Sequence, residues 1–358
     1  MTRFTPSFGL AALLALVAGA QAQTLAAPGQ QQQPPPPAII SRTPIVIVPV
    51  TVKDSHGQLV GDLTRDDFRI LEDGVEQKIA GFSSEAVPLS AVVLLDNDLD
   101  QRVVKDVQKS LISIAAGFGP DDEVALVSYE EFPETVTDFS KNNDFLFTTL
   151  KRFEIGSHNH TQIVDPAFPP GGPPPANQAP PNGAGPTNVP PLTIAPKFKS
   201  DVDMTDAIFA AGQMLKGRGR DRRKIIFLIS DEANSNNNAH SFDETLRSLL
   251  ISDISLYSIS VSRTVPVGKK FLQKGAADLQ KYASDTGGDT FYSRKEGDLD
   301  RLYPEITEQA RNEYTLTFSP QEVGKGQDYH PIEVRVKRPD LSIQTREGFY
   351  ESAITSGR

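Results

Sequence analysis

The sequence predicts an α/β protein: a doubly wound, mostly parallel sheet with helices on both faces, plus a small antiparallel β-domain built from the two chain ends. Three observations lead there. From Leu89 to Arg311, apolar runs alternate with segments of helical periodicity, as in βα units whose strands are buried on both faces. Near the C-terminus, YTLTF (314–318), IEVRV (332–336) and Ser342 to Thr345 alternate strictly, as half-exposed antiparallel strands do, and an N-terminal hairpin has the same character. Two Pro-rich stretches cannot bury apolar surface, so they interrupt the fold rather than build it.

Taken in order, Ile45 to Val52 (IVIVPVTV) is a strand followed by a turn at Lys53–Gly57. Phe68 to Leu71 is a strand ended by Glu72-Asp73-Gly74, a hairpin signal, and Val75 to Phe82 returns. Leu89 to Leu95 (LSAVVLL) is a strand without polar alternation, hence buried on both faces. Val103, Val107, Leu111, Ile114, Ala115 and Phe118 share one helical face. Glu123 to Tyr129 is a strand and Phe145 to Phe153 a helix. Met204 to Leu215 is a helix, Lys224 to Ser230 (KIIFLIS) a buried strand, Phe242 to Ile251 a helix and Ile254 to Val261 a strand. Phe271 to Thr286 is a helix closed by Gly287-Gly288, a good C-cap. Asp289 to Tyr292 is a short strand and Leu299 to Arg311 the last helix.

The chain has 358 residues and a formal net charge of −10, with no Cys and no Trp. The negative balance argues against coating nucleic acid or an anionic membrane, because both attract basic surfaces. Absent cysteine excludes disulfides, thiolate zinc sites, iron–sulfur clusters and a Cys nucleophile. Residues 1–22 read as a secretory signal peptide: a charged start at Arg3, an apolar run from Phe8 to Ala20 and an Ala20-Gln21-Ala22 cleavage site. The expected location is therefore secreted or periplasmic, with no integral membrane segment after cleavage. The remaining boundaries follow composition: a Pro/Gln-rich linker at 23–42, an N-terminal β segment at 43–88, and the α/β domain at 89–312 with a disordered Pro-rich insertion at 156–200. A C-terminal β segment at 313–351 pairs with the N-terminal one, and 352–358 is a tail.

In open α/β sheets the functional crevice lies at the carboxyl ends of the strands. After LSAVVLL come Asp96, Asp98 and Asp100; after KIIFLIS comes Asp231; Asp203, Thr205 and Asp206 open the helix after the insertion. Carboxylates gathered in one crevice repel unless a cation sits between them. The competing reading makes them helix N-caps and solvated loop charges.

The order of these segments resembles the von Willebrand factor A domain, and more closely the acidobacterial VWFA-related secreted family. The likeness runs over nearly the whole mature chain: DFRILEDG, VVLLD, FLISDEANS, SLYSISV, LQKYASDTGGDTFY and EYTLTFSP…REGFY. It implies a metal-ion-dependent adhesion site of the form Asp-x-Ser-x-Ser, with a Thr and an Asp from two other loops. Asp96, Thr205 and Asp231 match; Asp98 and Asp100 stand where the family has serines. The resemblance implies a protein partner, of unknown identity, that completes the metal site with an acidic residue. Two extra carboxylates leave two outcomes open. The site binds a cation more tightly, Ca²⁺ or Mg²⁺/Mn²⁺, with Ca²⁺ favoured over Mg²⁺ because it accepts more oxygens in looser geometry, or the longer side chains do not fit and the metal is lost. With no metal, the domain is a scaffold with a degenerate site.

A non-enzymatic binding protein is the expectation. The enzyme alternative is a phosphatase resembling the haloacid-dehalogenase class, with Asp96 as nucleophile, Asp98 as acid/base and Ser230 at a phosphate. Against it, Asp100 replaces the usual Thr or Val, and no downstream acidic pair with its Lys is evident. The five histidines (His56, His158, His160, His240 and His330) and the basic run Lys216 to Lys224 read as solvated or structural.

Overall fold

The computed structural model describes residues 44–157, 203–235, 237–262, 274–320 and 328–355. The stretches read as a signal peptide, as a linker and as an insertion (from His158 onward, with His160), and the last three residues, lie outside them.

Chain order is β1 (Val46–Lys53), β2 (Phe68–Glu72), β3 (Val75–Gln77), β4 (Ile79–Ser83), β5 (Leu89–Asp96), α1 (Gln101–Ser110), α2 (Ser113–Ala116), β6 (Glu123–Tyr129), β7 (Pro133–Ser140) and α3 (Asn143–Arg152). Then come α4 (Met204–Lys216), β8 (Arg223–Ser230), α5 (Phe242–Ile251), β9 (Ile254–Ser260), α6 (Lys274–Thr286), β10 (Thr290–Tyr292) and α7 (Asp298–Arg311). The end of the chain forms β11 (Tyr314–Phe318), β12 (Tyr329–Val336), β13 (Ser342–Thr345), β14 (Gly348–Tyr350) and α8 (Glu351–Thr355).

Six strands form the central sheet in the order β10-β9-β8-β5-β6-β7, all parallel except β7. Alternate residues of β5 serve opposite faces, as strand geometry requires. Ala91, Val93 and Leu95 pack with Val107 of α1, Leu150 of α3 and Ile306 of α7. Val92 and Leu94 pack with Ile208 of α4, Leu249 of α5 and Leu279 of α6. The chain leaves β5 toward β6 on one side, and leaves β8 toward β9 on the other. The topological switch point therefore lies between the carboxyl ends of β5 and β8, where such sheets leave an open crevice.

The chain ends do pair. One sheet has the order β13-β1-β11-β4 and a second β14-β12-β2-β3, all antiparallel. Between them lies a third core of Val48, Val50, Phe68, Ile70, Leu316 and Phe318, among others. Asp73 (φ 49) and Gly74 (φ 79) make the tight β2–β3 turn, whose two left-handed residues suit the twist of the flanking strands.

Several elements differ from the sequence reading. The helix expected over Val103–Phe118 breaks after Ser110, whose hydroxyl bonds back to the Val107 carbonyl (3.0 Å) and meets the buried Tyr303 hydroxyl (3.1 Å). The return strand expected over Val75–Phe82 divides into β3 and β4, which join different sheets. The edge strand β7 has no apolar alternation in PETVTDFS, and its Pro stands at the first position, where a missing N–H is tolerated. Among the described residues no helix is long and apolar enough to cross a membrane.

The Gly287-Gly288 pair does more than cap α6. Gly287 has φ +85, and a Cβ at Gly288 would stand 1.8 Å from the Leu256 carbonyl oxygen. Only glycine lets the chain turn that close to β9. Gly288→Ala is expected to cost about 3 kcal/mol in urea unfolding, at the upper end for overpacking; a loss within experimental error contradicts this packing.

Candidate metal centre

The last residue of β5 is Asp96, and Ser230 and Asp231 follow in parallel register at the end of β8. Asp96 is 1% exposed. Its Oδ2 accepts hydrogen bonds from Ser230 Oγ (2.9 Å) and Tyr129 Oη (3.3 Å), and its Oδ1 from the Asp98 amide (3.0 Å). Burial first, and the Asp231 charge second, push the Asp96 carboxyl up to about 7. Burial also raises Tyr129 well above its ordinary value, which keeps it a proton donor.

Asp231 ties two loops together. Its Oδ2 accepts from the Asp100 amide (2.9 Å) and its Oδ1 from the Ala233 amide (3.2 Å). The Asp100 side chain is engaged elsewhere: it caps α1 through the Arg102 amide (2.9 Å) and pairs with the Arg102 guanidinium. Asp98 is exposed, and its amide closes a turn onto Asp96. Thr205 is buried in the first turn of α4, and its Oγ1 accepts from Asn234 Nδ2 (3.1 Å).

The structure thus brings Asp96 and Asp231 together, with the Asp98 and Asp100 backbone folded over them. It turns the Asp100 carboxylate toward Arg102, and joins Thr205 to the β8 loop through Asn234. Four participants escaped the sequence reading in these roles. Ser230 and Tyr129 end their strands and look like ordinary strand residues. Asn234 is one of several Asn in ANSNNN and carries no distinguishing signal. Glu232 adopts φ 75, rare for a non-glycine residue, and such strain clusters at functional sites. Burial raises its carboxyl, and it lines a cavity of about 560 Å³ with Ser260, Tyr292 and Arg294.

The donor chemistry of the pair suits a hard divalent cation: Asp96 and Asp231 offer only oxygen, and a cation relieves the repulsion between their charges. Beside the site, a second cavity of about 300 Å³ is lined by Asn97, Tyr129, Glu130, Glu131, Glu134 and Ser157, among others, so its wall is acidic.

The central sheet is six-stranded and mostly parallel, lies between two helical layers and ends in an antiparallel edge strand. No protein-family model matches the chain, and no curated protein matches it. Among solved structures, it is similar to proximal thread matrix protein 1 of the mussel byssus, at 11% identity and a TM-score of 0.41 over 63% of this chain and 49% of that one. The chain therefore spans about half the length of the mussel protein. BatB from Bacteroides thetaiotaomicron is 11% identical, with a TM-score of 0.40 over 62% of this chain and 98% of its own. A von Willebrand factor type A protein from Catenulispora acidiphila is 8% identical, with a TM-score of 0.44 over 86% of this chain and 74% of its own.

Proposed function

We propose that this chain is an exported, non-enzymatic protein-interaction module that holds a divalent cation, Ca²⁺ in preference to Mg²⁺ or Mn²⁺, at the ends of β5 and β8. The observation that carries the reading is the convergence of Asp96 and Asp231 at the switch point of the sheet. Asp96, Asp231 and Thr205 are the protein ligands, Asp98 reaches the cation from its exposed loop, and Asp100 serves the helix cap. The bound cation supplies a coordination position for an oxygen of the partner.

Two observations support binding over catalysis. Asp96 is buried and its Oδ2 already accepts two hydroxyls, a poor arrangement for in-line attack on phosphorus. Asp98 is exposed, so nothing excludes water from a proton transfer there. The acidic cavity beside Glu130, Glu131 and Glu134 favours a second form of contact, in which partner Lys or Arg side chains lie on the rim.

Pull-down from an envelope extract is the test. A partner retained by the wild type in Ca²⁺, and lost both in chelator and with Asp96→Ala, is expected, and neither protein hydrolyses an aryl phosphate. Identical partner sets in all conditions contradict the cation-dependent reading. Loss in high salt but not in chelator assigns the contact to the acidic rim instead.

A further inference from the structure

A histidine and three carboxylates meet in the small β-domain, in the sandwich built from the chain ends. His330, on β12, is 5% exposed, and its ring stacks on Phe349 of β14 at 5.1 Å between centroids. Its Nδ1 lies 2.7 Å from Asp73 Oδ2 and 3.8 Å from Glu72 Oε1. Its Nε2 lies 3.3 Å from Glu351 Oε1. The ligand atoms of Glu72, Asp73 and His330 all fall within 4.8 Å of one another.

We propose that Glu72, Asp73 and His330 form a second metal site, for Zn²⁺ or a similar divalent transition ion, with Glu351 orienting the imidazole from the far side. The site is independent of the reading at Asp96. Its donor set is the reason for the choice of ion: one imidazole nitrogen and two carboxylates suit zinc, whereas the oxygen donors at Asp96 suit Ca²⁺. A tetrahedral ion with bonds of about 2.0–2.2 Å holds its ligand atoms about 3.4 Å apart. Nδ1 and the two carboxylates bracket that spacing at 2.7 and 3.8 Å, so small side-chain rotations complete the site. Water takes the fourth position.

The outer partner strengthens the assignment. A metal-bound histidine characteristically donates its other ring N–H to a carboxylate, which fixes tautomer and ring orientation. Glu351 Oε1 stands where that acceptor belongs, and the Phe349 ring limits rotation of the imidazole. The backbone also presets the ligands. Glu72 faces Ile332 in the β2–β12 register, and the Asp73 amide donates to the Pro331 carbonyl (3.1 Å). The ion would fasten the β2–β3 turn, β12 and, through Glu351, the start of α8.

Equilibrium dialysis of the full chain against Zn²⁺ tests this, alongside Asp96→Asn, His330→Gln, Asp73→Asn and Glu351→Gln. One tight equivalent is expected in the wild type and in Asp96→Asn. His330→Gln is expected to abolish it, Asp73→Asn to weaken it at least 10-fold, and Glu351→Gln about 10-fold, as for outer partners elsewhere. Asp73 sits on an exposed turn, so its variant keeps the test valid if His330→Gln misfolds. Visible absorption of Co²⁺, present in the wild type and absent from Asp73→Asn, is the second readout. Absence of tight Zn²⁺ binding in the wild type, or binding unchanged in both His330→Gln and Asp73→Asn, overturns the proposal. Binding lost only in Asp96→Asn would assign the zinc to the other centre.

Discussion

Glu313→Ala is expected to destabilise the protein by about 3–5 kcal/mol, because it removes the buried partner that Arg223, Tyr257 and Thr51 share and leaves all three unsatisfied. Glu313 is 1% exposed and lies between α7, which packs on the central sheet, and β11 of the antiparallel sheets. Its Oε2 is 3.2 Å from Arg223 Nη1 at the start of β8. Its Oε1 accepts from Tyr257 Oη of β9 and from Thr51 Oγ1 of β1 (3.4 Å). Arg223 also donates to the Ala310 carbonyl and to Thr315 Oγ1 (3.0 Å). Thus one carboxylate joins two strands of the central sheet to a strand of the β-domain. Removing both charges together, as Arg223→Met with Glu313→Leu, is expected to cost far less, since an apolar pair needs no desolvation.

The same group gives a pH dependence with a definite sign. Burial raises the Glu313 carboxyl above its ordinary value, with Arg223 holding it down in part. A carboxyl raised in the folded state contributes stability below its unfolded pKa, and loses it as pH rises through the folded value. Stability of the wild type relative to Glu313→Gln should therefore fall as pH rises from the ordinary glutamate range toward neutrality. Chemical denaturation across that range checks it. A single-variant loss under 1 kcal/mol, or a relative stability that rises with pH, contradicts the junction described.

The second large effect concerns the cation. A ligand bound only by the folded state, present at 100 times its Kd, stabilises by about 2.7 kcal/mol, which raises Tm by about 5 °C for a chain of this size. Calcium is expected to shift the wild type by that much, and Asp96→Ala not at all. Asp100→Ala should lower the baseline by about 1 kcal/mol through its lost cap, yet keep most of the calcium shift, because its side chain faces Arg102. Asp98→Ala should keep the baseline and weaken the shift. Equal responses from all three variants would mean that the acidic loop binds calcium diffusely.

Much of the fold was legible because burial writes itself into strand composition. LSAVVLL and KIIFLIS occupy the middle of the sheet and are almost wholly apolar on both faces. The edge strand β7 carries no such constraint, and only tertiary pairing reveals it. Asp96 and Asp231 were readable as candidates because strand ends at a switch point are special places. Their partners were not. Ser230 and Tyr129 act through geometry that spacing does not encode, and Asp100 looks identical in sequence whether it caps a helix or holds a cation. His330 was opaque for the same reason: Asp73 lies 257 positions away along the chain.

The most direct measurement is a calorimetric titration of the full chain with calcium. A single saturable site, absent from Asp96→Ala and weakened in Asp231→Asn, is the expected result. No heat from the wild type at millimolar calcium, or an isotherm unchanged by Asp96→Ala, would contradict the metal centre at the ends of β5 and β8.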